Sequence, residues 1–191
     1  MAMTVKKVKD SALNKVFIHK VADIRGGVSV NVSELNNDYL KEGTVIGAPE
    51  SGVCHVVKFA LVQTNAANDA TTIKIYKGHD FKVGDKVFAV EGGKNYGISA
   101  IDTSNSAYDQ ITVGTTLGVA LTADVSYIFQ GVATTGASAG AFLHAPFAVV
   151  GTGVKHNNST NAITDAWVIG VTKGLTLPAL VAGKLKGIIN Y

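Results

Sequence analysis

Five histidines and one cysteine are the residues of this chain best suited to metal binding or nucleophilic catalysis. The histidines are His19, His55, His79, His144 and His156. No two of them have a sequence spacing typical of metal ligands, and one cysteine cannot build a thiolate cluster. The sequence therefore predicts no metal site and no cofactor.

Cys54 and His55 are adjacent and combine a nucleophile with a base. Both lie in a segment, 53–62, that we predict to be a strand. Adjacent side chains of a strand point to opposite faces, so the two residues cannot form a hydrogen-bonded dyad there. We predict that Cys54 is a small buried hydrophobe.

Acidic residues offer general acid–base catalysis and calcium binding. His79 and Asp80 could meet in a turn, but no serine or cysteine nearby is placed to use them. Three aspartates could bind calcium but lack the regular spacing of a calcium loop: Asp102, Asp109 and Asp124. A polysaccharide depolymerase, the enzymatic alternative, needs paired acids in one cleft, and the sequence shows no convincing pair. We predict that the chain is not an enzyme.

The basic residues are almost all lysines. Four of them cluster with Tyr76 and Phe81, a mixture that single-strand nucleic-acid surfaces use: Lys74, Lys77, Lys82 and Lys86. Asp80 and Asp85 stand among these lysines and dilute their charge. Arg25 is the only arginine, although arginine is the preferred reader of guanine and phosphate. We predict no direct nucleic-acid partner.

The composition favours strands and turns. Charged residues make up 16% of the chain and there are 21 glycines, whereas charged amphipathic helices would need more charge. The first residues are polar and basic with no apolar run after them, so we expect no signal peptide. No window approaches about 20 uninterrupted apolar residues, so we expect no membrane span.

Local patterns predict an all-β fold with one unit inserted into another. Val28, Val30 and Val32 alternate with polar residues, which predicts a half-buried strand. Gly84 and Asp85 predict a turn that leads into a strand. We predict a flexible basic N-terminal arm (1–14), a discontinuous β base domain (15–67 and 132–191) and a small inserted β-barrel or rolled-sheet unit (68–131).

Three parts of the chain together carry a family resemblance. They are residues 15–28, residues 78–85 with 108–118, and residues 167–174 with 186–188. In these parts the chain resembles the head-fibre or capsid-decoration proteins of tailed bacteriophages that infect gut Bacteroidales. Such proteins bind the outside of the assembled shell, often as trimers.

The resemblance implies a virion structural protein, made in the host cytoplasm, on the outer capsid surface. It would reinforce the shell or display a surface module. Its partners would be the phage major capsid protein and further copies of itself, as a homotrimer or homodimer. For capsid binding through the arm and the base domain, we name Lys6, Lys7, Lys9, Phe17 and Arg25. The alternative interpretation of the lysine-rich arm is a solvated tail.

A second hypothesis is a host-surface or glycan-binding adhesion module carried by the inserted unit. Four tyrosines would supply its stacking rings: Tyr76, Tyr96, Tyr108 and Tyr127.

Overall fold

The computed structural model describes residues 15–157 and 159–191, and the chain is all-β, as predicted. The strands are β1 (Phe17–Asp23), β2 (Val28–Val30), β3 (Tyr39–Leu40), β4 (Val45–Gly47), β5 (Phe59–Leu61), β6 (Thr72–Tyr76), β7 (Lys86–Phe88), β8 (Asn95–Asp102), β9 (Tyr108–Val113), β10 (Tyr127–Gly131), β11 (Pro146–Val150), β12 (Val154–Lys155), β13 (Ala162–Thr164), β14 (Ala166–Thr172) and β15 (Ile188–Asn190). One short α-helix, α1 (Ala179–Ala182), and one 3-10 helix (Val32–Glu34) complete the described elements. No helix in these ranges is both long and apolar enough to cross a membrane.

A five-stranded sheet contains the first and the last of the described strands. Its order is β1-β14-β11-β4, and β15 pairs in parallel with β14. The predicted alternation is confirmed for β2, because Val28 and Val30 are buried while Ser29 is half-buried. Val32 is also buried, but it lies in the 3-10 helix rather than in the strand. These valines belong to a hydrophobic cluster that also contains Ile46 and Val150.

A six-stranded sheet occupies the middle of the chain, in the order β5-β10-β7-β8-β9-β6. Its two edge strands approach each other, since Val62 forms a bridge with Ile75 and the Gln63 N–H donates to the Lys74 carbonyl at 2.9 Å. These contacts do not make a continuous ladder, so the sheet does not close into a barrel. Alternating residues of β6 and β9 fill its core, with Ile73, Ile75 and Ile111 at most 1% exposed.

The predicted turn at Gly84-Asp85 is confirmed. Gly84 has a φ of +97°, a conformation that favours glycine. The Asp85 N–H donates to the Lys82 carbonyl at 3.1 Å, and the Lys82 N–H donates to Asp85 Oδ2 at 2.9 Å. The turn places Phe81 and Phe88 in the interior, at 2% and 0% exposure.

Side chains from both sheets share a third hydrophobic cluster. Phe88 and Phe129 of the six-stranded sheet pack with Phe142, Val149 and Leu185. Strand β5 lies before residue 68 yet belongs to the six-stranded sheet. The division into a base domain and an inserted unit therefore remains a prediction, while the two large sheets are observed.

Two local predictions differ from the structure. Ser33 before residues 34–40 predicts one short helical turn with Ser33 as its cap. In the structure the 3-10 helix is shorter and its cap is Asn31, whose side chain accepts from the Ser33 N–H at 3.1 Å. The strand predicted over 53–62 is confined to β5, and the residues before it form only isolated bridges. These bridges reach both β2 and β4, so the segment crosses between strands instead of extending one ladder.

Candidate functional site

The residues predicted to bind a capsid fall in three places. Lys6, Lys7 and Lys9 lie outside the described residues. Phe17 begins β1 and is half-buried, with its ring centroid 6.4 Å from that of Trp167. Arg25 is exposed in the turn after β1. The structure thus places Phe17 and Arg25 at opposite ends of β1.

Strand β1 is the edge of the five-stranded sheet, because it pairs with β14 on one side and with no described strand on the other. Its pairing contains register shifts between Phe17 and His19 and again between Lys20 and Asp23. Such irregularities bend an edge strand and interrupt its ladder. An edge strand offers unpaired backbone groups to a partner.

Exposed apolar side chains accompany this edge. Four aliphatic residues on three adjoining strands are 46–65% exposed: Ile18, Val21, Ile169 and Ile189. We refer to these four residues as the apolar strand surface. Lys20, on the same strand, is engaged, because its Nζ lies 3.2 Å from Asp165 Oδ2 and 5.3 Å from the Trp167 ring centre. His19 and Asp23 are also exposed on β1, so polar side chains border the apolar ones.

The predicted tyrosines do not form one platform. Tyr76 and Tyr108 lie opposite each other in the β6–β9 pair, and Lys74 Nζ is 4.7 Å from the Tyr108 ring centre. Tyr127 instead packs against Phe59 at a centroid distance of 6.2 Å. Tyr96 lies in β8, opposite Val87. Of the four tyrosines, only Tyr76 and Tyr108 are brought together.

The hydroxyl of Tyr76 donates to Asp124 Oδ1 at 2.6 Å. This hydrogen bond to the carboxylate, together with desolvation, raises the pKa of the Tyr76 phenol. Asp124 therefore orients Tyr76 on the surface.

The sequence pattern places Asp109 in a loop, but the residue lies in β9 and is buried. It pairs with Lys77 Nζ at 2.5 Å and lies 3.2 Å from His79 Nε2. His79 Nδ1 accepts from the Phe81 N–H at 3.1 Å, which fixes the turn. Burial lowers the pKa of His79, although the charge of Asp109 acts in the opposite direction. Burial also raises the pKa of Asp80, whose carboxylate accepts from the Asn36 N–H.

A group of histidines and glutamates was missed by the sequence reasoning. His55 Nδ1 contacts Glu34 Oε1, and the His55 and His144 rings stack with centroids 4.3 Å apart and planes 10° from parallel. His144 Nδ1 lies 2.9 Å from Glu50 Oε1. We name Glu34, Glu50, His55 and His144 the His–Glu cluster.

Short local structures hold the cluster. Glu50 flanks the two-residue turn Ser51-Gly52, in which both residues have positive φ, as in a type I′ hairpin. Gly47 allows His144 to approach, since a Cβ at that position would be 2.9 Å from the Cβ of His144. The hydrogen bond to His144, and then that ring's charge, lower the pKa of the Glu50 carboxyl.

Cys54, next to His55, is 1% exposed and belongs to the first hydrophobic cluster, as predicted. Burial raises the pKa of its thiol. The adjacent side chains are thus separated, with Cys54 in the core and His55 against Glu34.

Comparisons with known proteins leave the chain without an assigned relative: no protein-family model, no curated protein and no solved structure matches it.

Proposed function

We propose that this chain is a virion structural protein that binds the outer surface of a phage capsid. The observation that carries the proposal is the apolar strand surface on β1, β14 and β15, together with the β1 edge, which pairs with no second strand among the described residues. This edge directly follows residues 1–14, where the predicted lysine arm lies.

Exposure and position argue for an interface at this edge. Val21 and Ile189 are 65% and 63% exposed, although each would gain free energy by burial. The register shifts of β1 disfavour addition of a partner's strand, so we expect its exposed apolar side chains to pack against a partner surface instead. The lysines of the arm would contribute attraction to an acidic shell, and many copies on one lattice would raise the effective affinity.

Co-sedimentation with empty capsids of the phage that encodes the chain tests the proposal. We expect the full-length protein to pellet with the capsids and Val21→Asp to remain largely in the supernatant. The matched control is Ile163→Asp, because Ile163 is 77% exposed on β13, which belongs to another sheet.

A form lacking residues 1–14 separates the arm from the sheet. Weaker pelleting of this form supports a contribution from Lys6, Lys7 and Lys9. Full-length protein that stays in the supernatant contradicts capsid binding, and equal loss in both aspartate variants contradicts the assignment to the apolar strand surface.

The second candidate is a glycan-binding adhesion module, which the Tyr76–Tyr108 pair favours. Two tyrosines opposite each other, with Lys74 over one ring, resemble the stacking surfaces that bind sugar rings through their apolar faces. A glycan array probed with the full-length chain tests this function. Binding that is lost in Tyr108→Ala and kept in Tyr191→Ala, a 68% exposed control, supports it. Silence across host polysaccharides contradicts it.

A further inference from the structure

The His–Glu cluster brings metal-binding atoms together from distant parts of the chain. One ligand atom each from Glu34, His55 and His144 lies within 4.8 Å of the others. The three side chains are sheltered, with exposures of 19% for Glu34, 22% for His55 and 11% for His144. Glu50 is 61% exposed and stands at the rim.

The donor set selects a class of metal. Two imidazoles and one carboxylate suit Zn²⁺ and related divalent transition metals, whereas Ca²⁺ and Mg²⁺ prefer oxygen ligands throughout. We propose that Glu34, His55 and His144 bind one Zn²⁺-class ion, with the remaining coordination position open toward solvent. This metal site is independent of capsid binding.

The carboxylate is held in place before any ion binds. Glu34 Oε2 accepts from the Val56 N–H at 2.9 Å, and Oε1 accepts from Asn31 Nδ2 at 3.1 Å. His144 has its own partner, because Glu50 Oε1 lies 2.9 Å from its Nδ1. Carboxylate partners of this kind commonly orient the histidines of metal sites.

The two histidine rings lie close together, with centroids 4.3 Å apart. Around Zn²⁺ the ligand atoms lie about 3.3 Å apart, as tetrahedral geometry and a bond length of about 2.0–2.1 Å require. The imidazoles therefore leave their parallel stack on binding and turn toward a common point.

The bound ion would cross-link three segments. Glu34 and His55 are 21 residues apart, and His144 follows far along the chain, just before β11. Closing such loops restricts the unfolded chain, so metal binding adds to folding stability.

Titration of full-length protein with Zn²⁺ alone, after removal of metals with a chelator, tests the site. Calorimetry should show saturable uptake of one ion per chain. The melting temperature should rise by roughly 5–10 °C when free Zn²⁺ is about 100 times the dissociation constant. Co²⁺ should give the visible absorption of a low-symmetry site with nitrogen ligands.

Variants assign the ligands. Glu34→Gln, His55→Gln and His144→Gln should each weaken Zn²⁺ binding by about tenfold or more, while His19→Gln, an exposed histidine outside the cluster, should bind as the unmodified protein does. Circular dichroism of the metal-free variants identifies any that fail to fold. If all three fail to fold, Zn²⁺ uptake by the unmodified protein is the test of the proposal. Absence of saturable Zn²⁺ uptake by the unmodified protein overturns the proposal, as does unchanged affinity in folded variants of the three ligands.

Discussion

Lys58 is a lysine in the protein interior. Its side chain is 3% exposed, and its ammonium lies 3.0 Å from Asp85 Oδ2. Asp85 Oδ1 also accepts from Gln130 Nε2 at 3.2 Å, so the pair links the residue before β5 with β10 and the turn before β7. The residue that shapes the Gly84-Asp85 turn thus also neutralises a buried charge.

Replacing Asp85 should therefore be costly. We expect Asp85→Ala to lower the free energy of unfolding by about 3–5 kcal/mol, because it leaves the Lys58 ammonium buried without a partner. Urea denaturation measures this change. The control is Glu91→Ala, which breaks the exposed Lys184–Glu91 pair and should cost less than about 1 kcal/mol. Similar losses in the two variants would contradict a structural role for the buried pair.

His79 should make stability depend on pH. Burial lowers its folded-state pKa, so below the ordinary histidine pKa, about 6.5, the unfolded chain takes up a proton that the folded chain does not. The His79 contribution to stability is therefore present above pH about 6.5 and decreases as the pH falls below that value.

Urea denaturation across this pH window tests the His79 prediction. His79→Gln should lose less stability than the unmodified protein as the pH falls, and His19→Gln should behave as the unmodified protein does. An unchanged pH profile in His79→Gln would show that His79 does not titrate differently on folding.

Among the elements, β8 is tied to the segment that follows the six-stranded sheet. Asn95, the first residue of β8, is fully buried and donates from Nδ2 to the Val132 and Thr134 carbonyls at 2.8 and 2.7 Å. Its backbone also pairs with Gly136. One side chain therefore fixes the segment predicted as a domain boundary.

Asn95→Ala should destabilise the protein by about 1–3 kcal/mol in total, because a fully buried residue loses both side-chain hydrogen bonds. In hydrogen-exchange measurements on Asn95→Ala, the Gly136 amide should exchange faster than in the unmodified protein. The amides of β6 and β9 should exchange at their unmodified rates. Asn105→Ala, in an exposed turn, should change stability by less than about 0.5 kcal/mol. Uniform loss of protection across the chain would contradict a local role for Asn95.

Local sequence patterns predicted individual strands and turns better than the long-range contacts between residues. Alternation predicted β2 and the Gly84-Asp85 pair predicted its turn, because both signals depend on neighbouring residues. The His–Glu cluster depends instead on long-range packing, and no spacing in the sequence connects His55 with His144. The interior position of Lys58 was missed for the same reason, since its partner Asp85 is 27 residues away.

At the scale of the whole molecule, we expect full-length protein to form a homotrimer or homodimer, as the resemblance implies and as the low content of charged residues, 16%, favours. Sedimentation equilibrium at micromolar concentration measures the mass. A monomer that persists across the concentration range would contradict self-association.

The proposed capsid binding also predicts an orientation. The β1 edge should face the shell, and the paired strands β6 and β9, with Tyr76 and Tyr108, should stay exposed. This arrangement would leave the tyrosine pair available to a host glycan while the edge strand is covered.

A cryo-electron microscopy map of the intact virion tests the central claim most directly. The proposal predicts density for this chain on the outer capsid surface, with Ile18 and Val21 against the major capsid protein. A virion map without this chain, or one in which β1 faces solvent and another surface contacts the shell, would contradict it.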